Sequence, residues 1–206
     1  QRQMCIRDRP KAEYKNIAVK PSDIQSEMVK SLSERAEKVR NGGVDSSQDN
    51  MLLITNDGRK LALDQRMIDL LLPDFEGSKV NALVDNVYRI WDETTPNKSA
   101  QLIFCDLSTP KSSNDFSVYN DIRDKLIKKG IPPDEVQFIH DANTETKKAE
   151  LFKKVRSGEV RVLMGSTQKM GAGTNVQNKL IAMHDLDCPW RPADLSLIHI
   201  SEPTRR

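Results

Sequence analysis

Residues 160–184, VRVLMGSTQKMGAGTNVQNKLIAMH, decide the fold, because two short and mostly apolar runs flank a loop that contains glycine. The runs 160–164 and 179–184 are shorter than typical helices and have the character of strands that are buried on both faces. Strands of this kind belong to parallel sheets, whose members are connected by helices. We therefore predict that both runs are strands of one parallel sheet.

The sequence before residue 160 continues this alternation of strands and helices. The apolar runs 101–107 (QLIFCDL) and 136–140 (VQFIH) predict two further strands. Helices are expected from about residue 117 to 129, and from a cap at Asn143 or Thr144 to the glycine at 158. This order predicts an α/β fold with a parallel sheet and right-handed crossovers, in which ligands bind beyond the carboxyl ends of the strands.

The first 91 residues are predicted to be mainly helical. Apolar residues recur at helical spacing over 24–39, where Ser22 is a suitable cap and Asn41-Gly42-Gly43 a stop signal. A second helix is expected over 79–91. The segment 51–72 carries mixed signals, and Asn56-Asp57-Gly58 is expected to interrupt it.

The loop 165–177, GSTQKMGAGTNVQ, is the strongest candidate site. Gly171 and Gly173 permit positive φ angles, and their amides, together with the Ser166 and Thr167 hydroxyls, are suited to phosphate oxygens. Lys169 adds positive charge. The loop matches neither G-x-G-x-x-G nor the phosphate loop of nucleotide-binding proteins, and a turn that needs glycine only for its geometry explains it equally well.

Weaker candidates follow the other strands. Asp106, Ser108 and Thr109 come at the end of the first strand and are suited to a phosphate backbone, although such residues are also common in turns. Thr144, at a helix start, is suited to a phosphate contact. Trp190 is suited either to stacking on a base or to packing on its own sheet.

His140 and Asp141 form a pair that invites a catalytic interpretation. Neighbouring residues on a strand point to opposite faces, and no serine or cysteine stands at a spacing that makes His140 part of a nucleophilic site. Cys105 and Cys188 stand alone, so they are expected to be reduced and buried thiols rather than metal ligands.

The two ends, 1–9 and 196–206, have the appearance of translated sequencing adapters and are expected to be artefactual. Five of the 32 basic and two of the 30 acidic residues lie in them, so 10–195 holds 27 basic and 28 acidic residues, a net charge of −1. Nucleic-acid binding would therefore require a local patch. No apolar run approaches the roughly 20 residues that span a bilayer, and a cytoplasmic location without membrane contact is expected.

Taken in order, the motifs of 79–195 resemble the C-terminal, second RecA-like lobe of superfamily-two helicases, closest to the Swi/Snf-like branch. QLIFCDLST (101–109) is similar to motif four, and VRVLMGSTQKMGAGTNVQ (160–177) is similar to motif five. HDLDCPWRP (184–192) is similar to a segment that ends in Trp-Asn-Pro, with Arg191 in place of the asparagine. The sequence most resembles helicase–adenine-methyltransferase fusions of bacterial mobile elements and phages.

The resemblance implies the second motor lobe of an ATP-dependent DNA helicase or translocase, with RNA as a less favoured partner. ATP and Mg²⁺ would be bound only in the full-length parent, together with its N-terminal lobe, and the isolated fragment is expected to be inactive. No catalytic residue or metal ligand is expected, because the family's arginine motif is replaced by SLIHISEPTRR. The implied nucleic-acid contacts are Ser108, Thr109, Thr144, Ser166, Thr167 and Trp190. The implied ATP-cleft residues are Gly171, Gly173, Thr174 and Asn175.

The expected domain organisation is a helical lead-in over 10–78 followed by a truncated lobe over 79–195. One alternative is a Rossmann-like domain that binds a nucleotide or a methyl donor, in a methyltransferase or metabolic enzyme. It would need a glycine-rich turn after the first strand, yet no glycine occurs between that strand and Gly130, although Asp141 has a suitable place for the required acid. A further alternative is an interaction module without catalytic activity.

Overall fold

The computed structural model describes residues 13–110, 116–170 and 176–187. These residues form two compact units, a helical unit, Ile17–Ala82, and a unit built on a β-sheet that includes the described residues from Leu83 onward. The predicted end segments 1–9 and 196–206 lie outside the described residues.

The second unit contains a sheet of four parallel strands, which confirms the predicted α/β architecture. The strands are β1 (Ala100–Phe104), β2 (Val136–Phe138), β3 (Val162–Gly165) and β4 (Leu180–Asp185). They lie in the order β2-β3-β1-β4, and all three neighbouring pairs are parallel. The first two strands end earlier than predicted, at Phe104 instead of residue 107 and at Phe138 instead of residue 140.

The helices of the described chain follow the predicted order, with one short helix added over 167–170, inside the segment that is predicted to be a loop. They are α1 (Asp23–Arg40), α2 (Met51–Leu63), α3 (Lys79–Glu93), α4 (Val118–Lys129), α5 (Glu145–Ser157) and α6 (Thr167–Met170). Gly158 ends α5 with a φ of +83°, and an added Cβ there would lie 2.8 Å from the Lys98 carbonyl oxygen. Glycine is therefore required at this position by both conformation and space.

The hydrophobic core of the sheet unit forms around β1, all five residues of which are buried. Burial on both faces explains why this strand appears in the sequence as a continuous apolar run. Helix α5 packs Leu151, Phe152 and Val155 against the core, as its periodicity predicts. The fully packed members of this cluster are Ala100, Leu102, Phe104, Ile139, Val155, Val160, Leu163, Met170, Val176 and Leu180.

Arg161, directly before β3, is a charged residue with only 2% of its surface exposed. Its guanidinium donates hydrogen bonds to the Trp91 carbonyl and to Thr94 Oγ1, and it lies 4.9 Å from the centre of the Trp91 ring. Burial lowers its pKa, while the nearby Glu135 carboxylate acts in the opposite direction. These contacts lie at the amino end of the sheet and satisfy a buried charge, so they have a structural role.

In the helical unit, the predicted cap of α1 is confirmed. The Ser22 hydroxyl accepts from the Gln25 amide, and the Gln25 side chain accepts from the Ser22 amide, which together form a capping box. The predicted interruption at Asn56-Asp57-Gly58 is wrong, because α2 continues through these residues. Within the described chain, no helix combines the length and apolar character that crossing a membrane requires.

The continuity of α2 has a tertiary cause. Arg35 of α1 donates hydrogen bonds to the carboxylates of Asp49, at 2.8 Å, and Asp57, at 2.9 Å. A Cβ on Gly58 would lie 3.9 Å from Leu32 Cδ1, so the glycine faces α1 at close range. Packing between the two helices therefore outweighs the local preference of an Asn-Asp-Gly sequence for a turn.

Candidate functional site

The candidate site is the edge of the sheet where all four parallel strands end. We call this edge the rim, and define it as residues 105–109 after β1, 139–144 after β2, 166–170 after β3, and 186–187 after β4. Because β2, β3 and β1 are neighbours in the sheet, Thr144, Ser166 and Ser108 follow three adjacent strands. This edge is where α/β sheets generally bind ligands.

Gly165, the last residue of β3, brings two parts of the rim into close contact. A Cβ there would lie 2.7 Å from Met170 Cγ and would also collide with the side chain of Ile139. The helical turn Ile139–Asp141 thereby packs against β3 and α6. The sequence predicts a phosphate-binding role for Gly171 and Gly173. The structure shows in addition a packing role for Gly165, which a single sequence does not reveal.

Two carboxylates join three loops of the rim. Asp187 accepts hydrogen bonds from the amides of Asp106, at 2.9 Å, and Leu107, at 2.8 Å. Asp106 Oδ1 in turn accepts from the Thr167 amide at 2.7 Å. The Cys105 amide still donates to the Gly165 carbonyl, but the next two amides turn to a carboxylate instead of continuing the sheet, so β1 ends early.

Asp106 is predicted from the sequence to suit contact with a phosphate backbone. The structure corrects this prediction, because the carboxylate binds a neighbouring loop of the protein. A carboxylate would also repel a phosphate. Asp187 was not identified from the sequence. The signal that the sequence offers for Asp187 is its position. Asp106 lies two residues after the end of β1, and Asp187 lies two residues after the end of the neighbouring strand β4.

Ser108 has a structural role in addition to any ligand contact. Its φ is +56°, and its Oγ accepts a hydrogen bond from the Val118 amide at 2.9 Å. The serine therefore caps α4 from ten residues away, while Ser117 donates to the Ser108 carbonyl at 3.1 Å. The capping bond uses the hydroxyl oxygen as acceptor, so the hydroxyl proton can still be donated to a ligand. Thr109 follows and is half-buried.

Thr144 and Ser166 are also helix caps. Thr144 Oγ1 accepts from the Lys147 amide at 3.2 Å and begins α5, which confirms the expected helix start. Ser166 Oγ lies 3.4 Å from the Lys169 amide at the start of the short helix α6. The Thr167 amide is not free for a phosphate, because it donates to Asp106, so the side-chain hydroxyl is the group at this position that can serve a ligand.

His140 lies in a short 3₁₀ turn and not on the predicted strand, so the expectation of opposite faces does not apply. Its ring stands edge-on to Tyr119, with 5.4 Å between ring centres. Burial lowers the pKa of His140, and the positive charge of Lys169 lowers it further, against the opposing effect of Asp141. Its Nδ1 atom is buried and receives no hydrogen bond from the described residues, so His140 is a neutral packing residue at neutral pH.

Tyr119 is buried against Cys105, the first residue of the rim, which is buried too. The Tyr119 hydroxyl donates to the Cys105 carbonyl, and burial raises the pKa of this tyrosine. Cys105 is a buried thiol outside any disulfide, as expected, while Cys188 lies outside the described residues. Among the described residues, no three histidine, cysteine, aspartate or glutamate side chains come together as a metal site.

Five predicted site residues lie outside the described residues. They are the expected ATP-cleft residues Gly171, Gly173, Thr174 and Asn175, and the expected stacking residue Trp190. The rim therefore includes the described candidates Ser108, Thr109, Thr144, Ser166 and Thr167.

An open cavity of about 630 Å³ is lined by residues of β2, of its flanking segments and of α5. Its apolar lining includes Phe138, Leu151 and Val160. Five acidic residues and three lysines line it, so its charge does not favour a polyanion. The acidic residues are Asp134, Glu135, Asp141, Glu150 and Glu159, and the lysines are Lys98, Lys147 and Lys154.

No protein-family model matches this chain, and no curated protein matches it either. The resemblance to a helicase lobe therefore stays a prediction.

Proposed function

We propose that this chain forms the second RecA-like motor lobe of an ATP-dependent DNA helicase or translocase, and that its rim grips the sugar-phosphate backbone. The observation that carries the proposal is the presence of hydroxyl groups after three adjacent parallel strands, at Ser108, Thr144 and Ser166. A cytoplasmic location agrees with a DNA partner.

The chemistry of these hydroxyls suits a phosphate. The oxygens of Ser108 and Thr144 accept hydrogen bonds from helix amides, which leaves the hydroxyl protons available for an acceptor. Phosphate oxygens accept hydrogen bonds, and serine and threonine are common donors to them. Lys169 is exposed at the same edge and adds a positive charge. Contacts of this type fix the position of a strand without selecting its bases.

ATP would enter this scheme between two lobes of the parent protein, with Mg²⁺ on its phosphates. Residues Gly171, Gly173, Thr174 and Asn175 are the proposed contacts to that cleft. The 206-residue sequence contains no Gly-x-x-x-x-Gly-Lys followed by serine or threonine. We therefore expect the chain alone to hydrolyse no ATP above background.

The Rossmann-like alternative is less well supported by the loop after β1. A dinucleotide site needs free amides there, in a turn that contains glycine, to bind a pyrophosphate. The amides of Asp106 and Leu107 already donate to Asp187, and residues 105–110 include no glycine. An internal carboxylate thus fills the place that a pyrophosphate would need.

A binding titration tests the proposal. We expect the chain to bind a fluorescent DNA duplex of about 20 base pairs weakly, and about 40-fold less tightly at about 200 mM than at about 50 mM salt if three phosphates are contacted. Thr167→Val should weaken binding about fivefold, because it removes one hydroxyl and keeps the backbone bond to Asp106. Thr55→Val, at an exposed threonine of the helical unit, is the matched control and should bind like the parent.

The same titration identifies the competing functions. Tight binding of free nucleotide or S-adenosylmethionine without DNA binding would favour the Rossmann-like alternative. DNA binding that does not change between the two salt concentrations would contradict recognition of the backbone.

A further inference from the structure

The two carboxylates of the rim form a continuous chain of hydrogen bonds across three loops. Asp187, after β4, holds the amides of Asp106 and Leu107 after β1, at 2.8 to 3.0 Å. Asp106 then holds the amide of Thr167 after β3 at 2.7 Å. We call this chain, from Asp187 through Asp106 to Thr167, the carboxylate strap.

The bonds of the strap are of a strong type. A charged acceptor shortens a hydrogen bond and makes it roughly twice as strong as a neutral one. Both carboxylates are half-buried, which limits the competition from water. Each bond also joins positions far apart in the chain, since Asp106 and Thr167 are 61 residues apart and Leu107 and Asp187 are 80.

We propose that the carboxylate strap is a positioning device that sets the distance between the phosphate-binding hydroxyls of neighbouring loops. Asp187 fixes the loop that carries Ser108, and Asp106 fixes the loop that carries Ser166 and Thr167. Without the strap, the hydroxyls would be present but would not match the spacing of successive phosphates. This inference rests on the proposed function, while the strap itself is a property of the loops and can be tested without DNA.

The strap and simple electrostatics predict opposite changes in DNA affinity when the negative charge of Asp106 is removed. Removal of a negative charge from a surface that binds DNA should tighten binding if charge alone matters. The strap predicts the opposite for Asp106→Ala, because the Thr167 amide loses its acceptor and the loop after β3 is released. Asp106 and Asp187 are therefore positioning residues, and neither is proposed to touch DNA.

Asp106→Asn is the matched control. Asparagine removes the same charge but retains an oxygen at the place of Oδ1, which accepts from Thr167. The other carboxylate oxygen of Asp106 receives no hydrogen bond from the described residues, so an amide group is tolerated there.

The test measures DNA affinity and amide hydrogen exchange on the 206-residue chain. Asp106→Ala should bind the duplex of about 20 base pairs about tenfold more weakly than the parent, and Asp106→Asn at least as tightly as the parent. In the absence of DNA, the Thr167 amide should exchange about tenfold faster in Asp106→Ala and only about threefold faster in Asp106→Asn, because a bond to a neutral acceptor is roughly half as strong as one to a carboxylate.

The outcomes are distinguishable. If both variants bind DNA more tightly and Thr167 exchange is unchanged, the strap is overturned and only charge remains. If the parent itself binds no DNA, the proposed function fails, while the exchange rates still decide whether the strap holds the loop. If Asp106→Ala does not fold, Asp187→Ala repeats the test, with exchange measured at the Leu107 amide and with Asp106→Asn again as the variant that retains the strap.

Discussion

At the scale of single residues, some polar groups of the sheet unit hold the fold, and others are the proposed ligand contacts. His184 of β4 belongs to the first group. Its Nε2 lies 3.0 Å from Gln101 Oε1, and Gln101 Nε2 donates to the Val87 carbonyl. Burial lowers the pKa of His184 to about 4. The histidine is therefore neutral in the folded protein at neutral pH, and protonation would oppose folding.

This buried histidine predicts a pH dependence of stability. Since its pKa is lower in the folded state than in the unfolded state, its contribution is fully present above about pH 6.5 and is lost as the pH falls toward 4. Lowering the pH from about 7 to about 4.5 should cost about 2–3 kcal/mol through this residue. His184→Gln retains a donor to Gln101 without a titrating group, so it should remove that part of the pH dependence.

Urea unfolding of both proteins at the two pH values measures the difference. The lowered pKa values of His140, Asp45 and Asp49 change stability in the same direction in both proteins, so their effects cancel in the comparison. An equal loss of stability in the parent and in His184→Gln would show that His184 does not carry the effect.

At the scale of elements, helices were predicted from the sequence better than strand ends. The periodicity of α1, α4 and α5 matches the structure closely, because each apolar stripe faces a core or a partner helix. The end of β1 was placed three residues late, since no local pattern reveals that Asp187 captures the next amides. The helix α2 was expected to break at an Asn-Asp-Gly sequence, but packing against α1, which includes the contact of Arg35 with Asp57, favours helix there.

Two glycines provide opposite tests of this account. Gly58→Ala should stabilise the protein by about 0.5–1 kcal/mol, because the position lies inside a helix and the added Cβ would make an ordinary contact with Leu32 at 3.9 Å. Gly165→Ala should destabilise it by about 1–3 kcal/mol, because the added Cβ would collide with Met170 and Ile139. Urea unfolding followed by circular dichroism measures both. A stabilising Gly165→Ala would contradict the close packing of the rim.

At the scale of the whole molecule, the parallel sheet follows from the sequence, while the organisation of the rim does not. Four apolar runs separated by helices predict the α/β class, and the order of the strands then brings hydroxyl-bearing loops to one edge. The bonds from Asp187 to Asp106 and from Asp106 to Thr167 join distant parts of the chain, so no local pattern predicts them. With a net charge of only +2 over the whole chain, the proposed DNA binding requires this local geometry rather than global charge.

The most direct measurement maps DNA onto the protein by following backbone amide signals in nuclear magnetic resonance while a short duplex is added. The account predicts that the largest changes occur at the described rim, at Ser108, Thr144, Ser166 and Thr167, and that the amino end of the sheet near Arg161 stays unchanged. Signal changes confined to the amino end of the sheet, or to the cavity lined by β2 and α5, would contradict the proposed binding of the phosphate backbone.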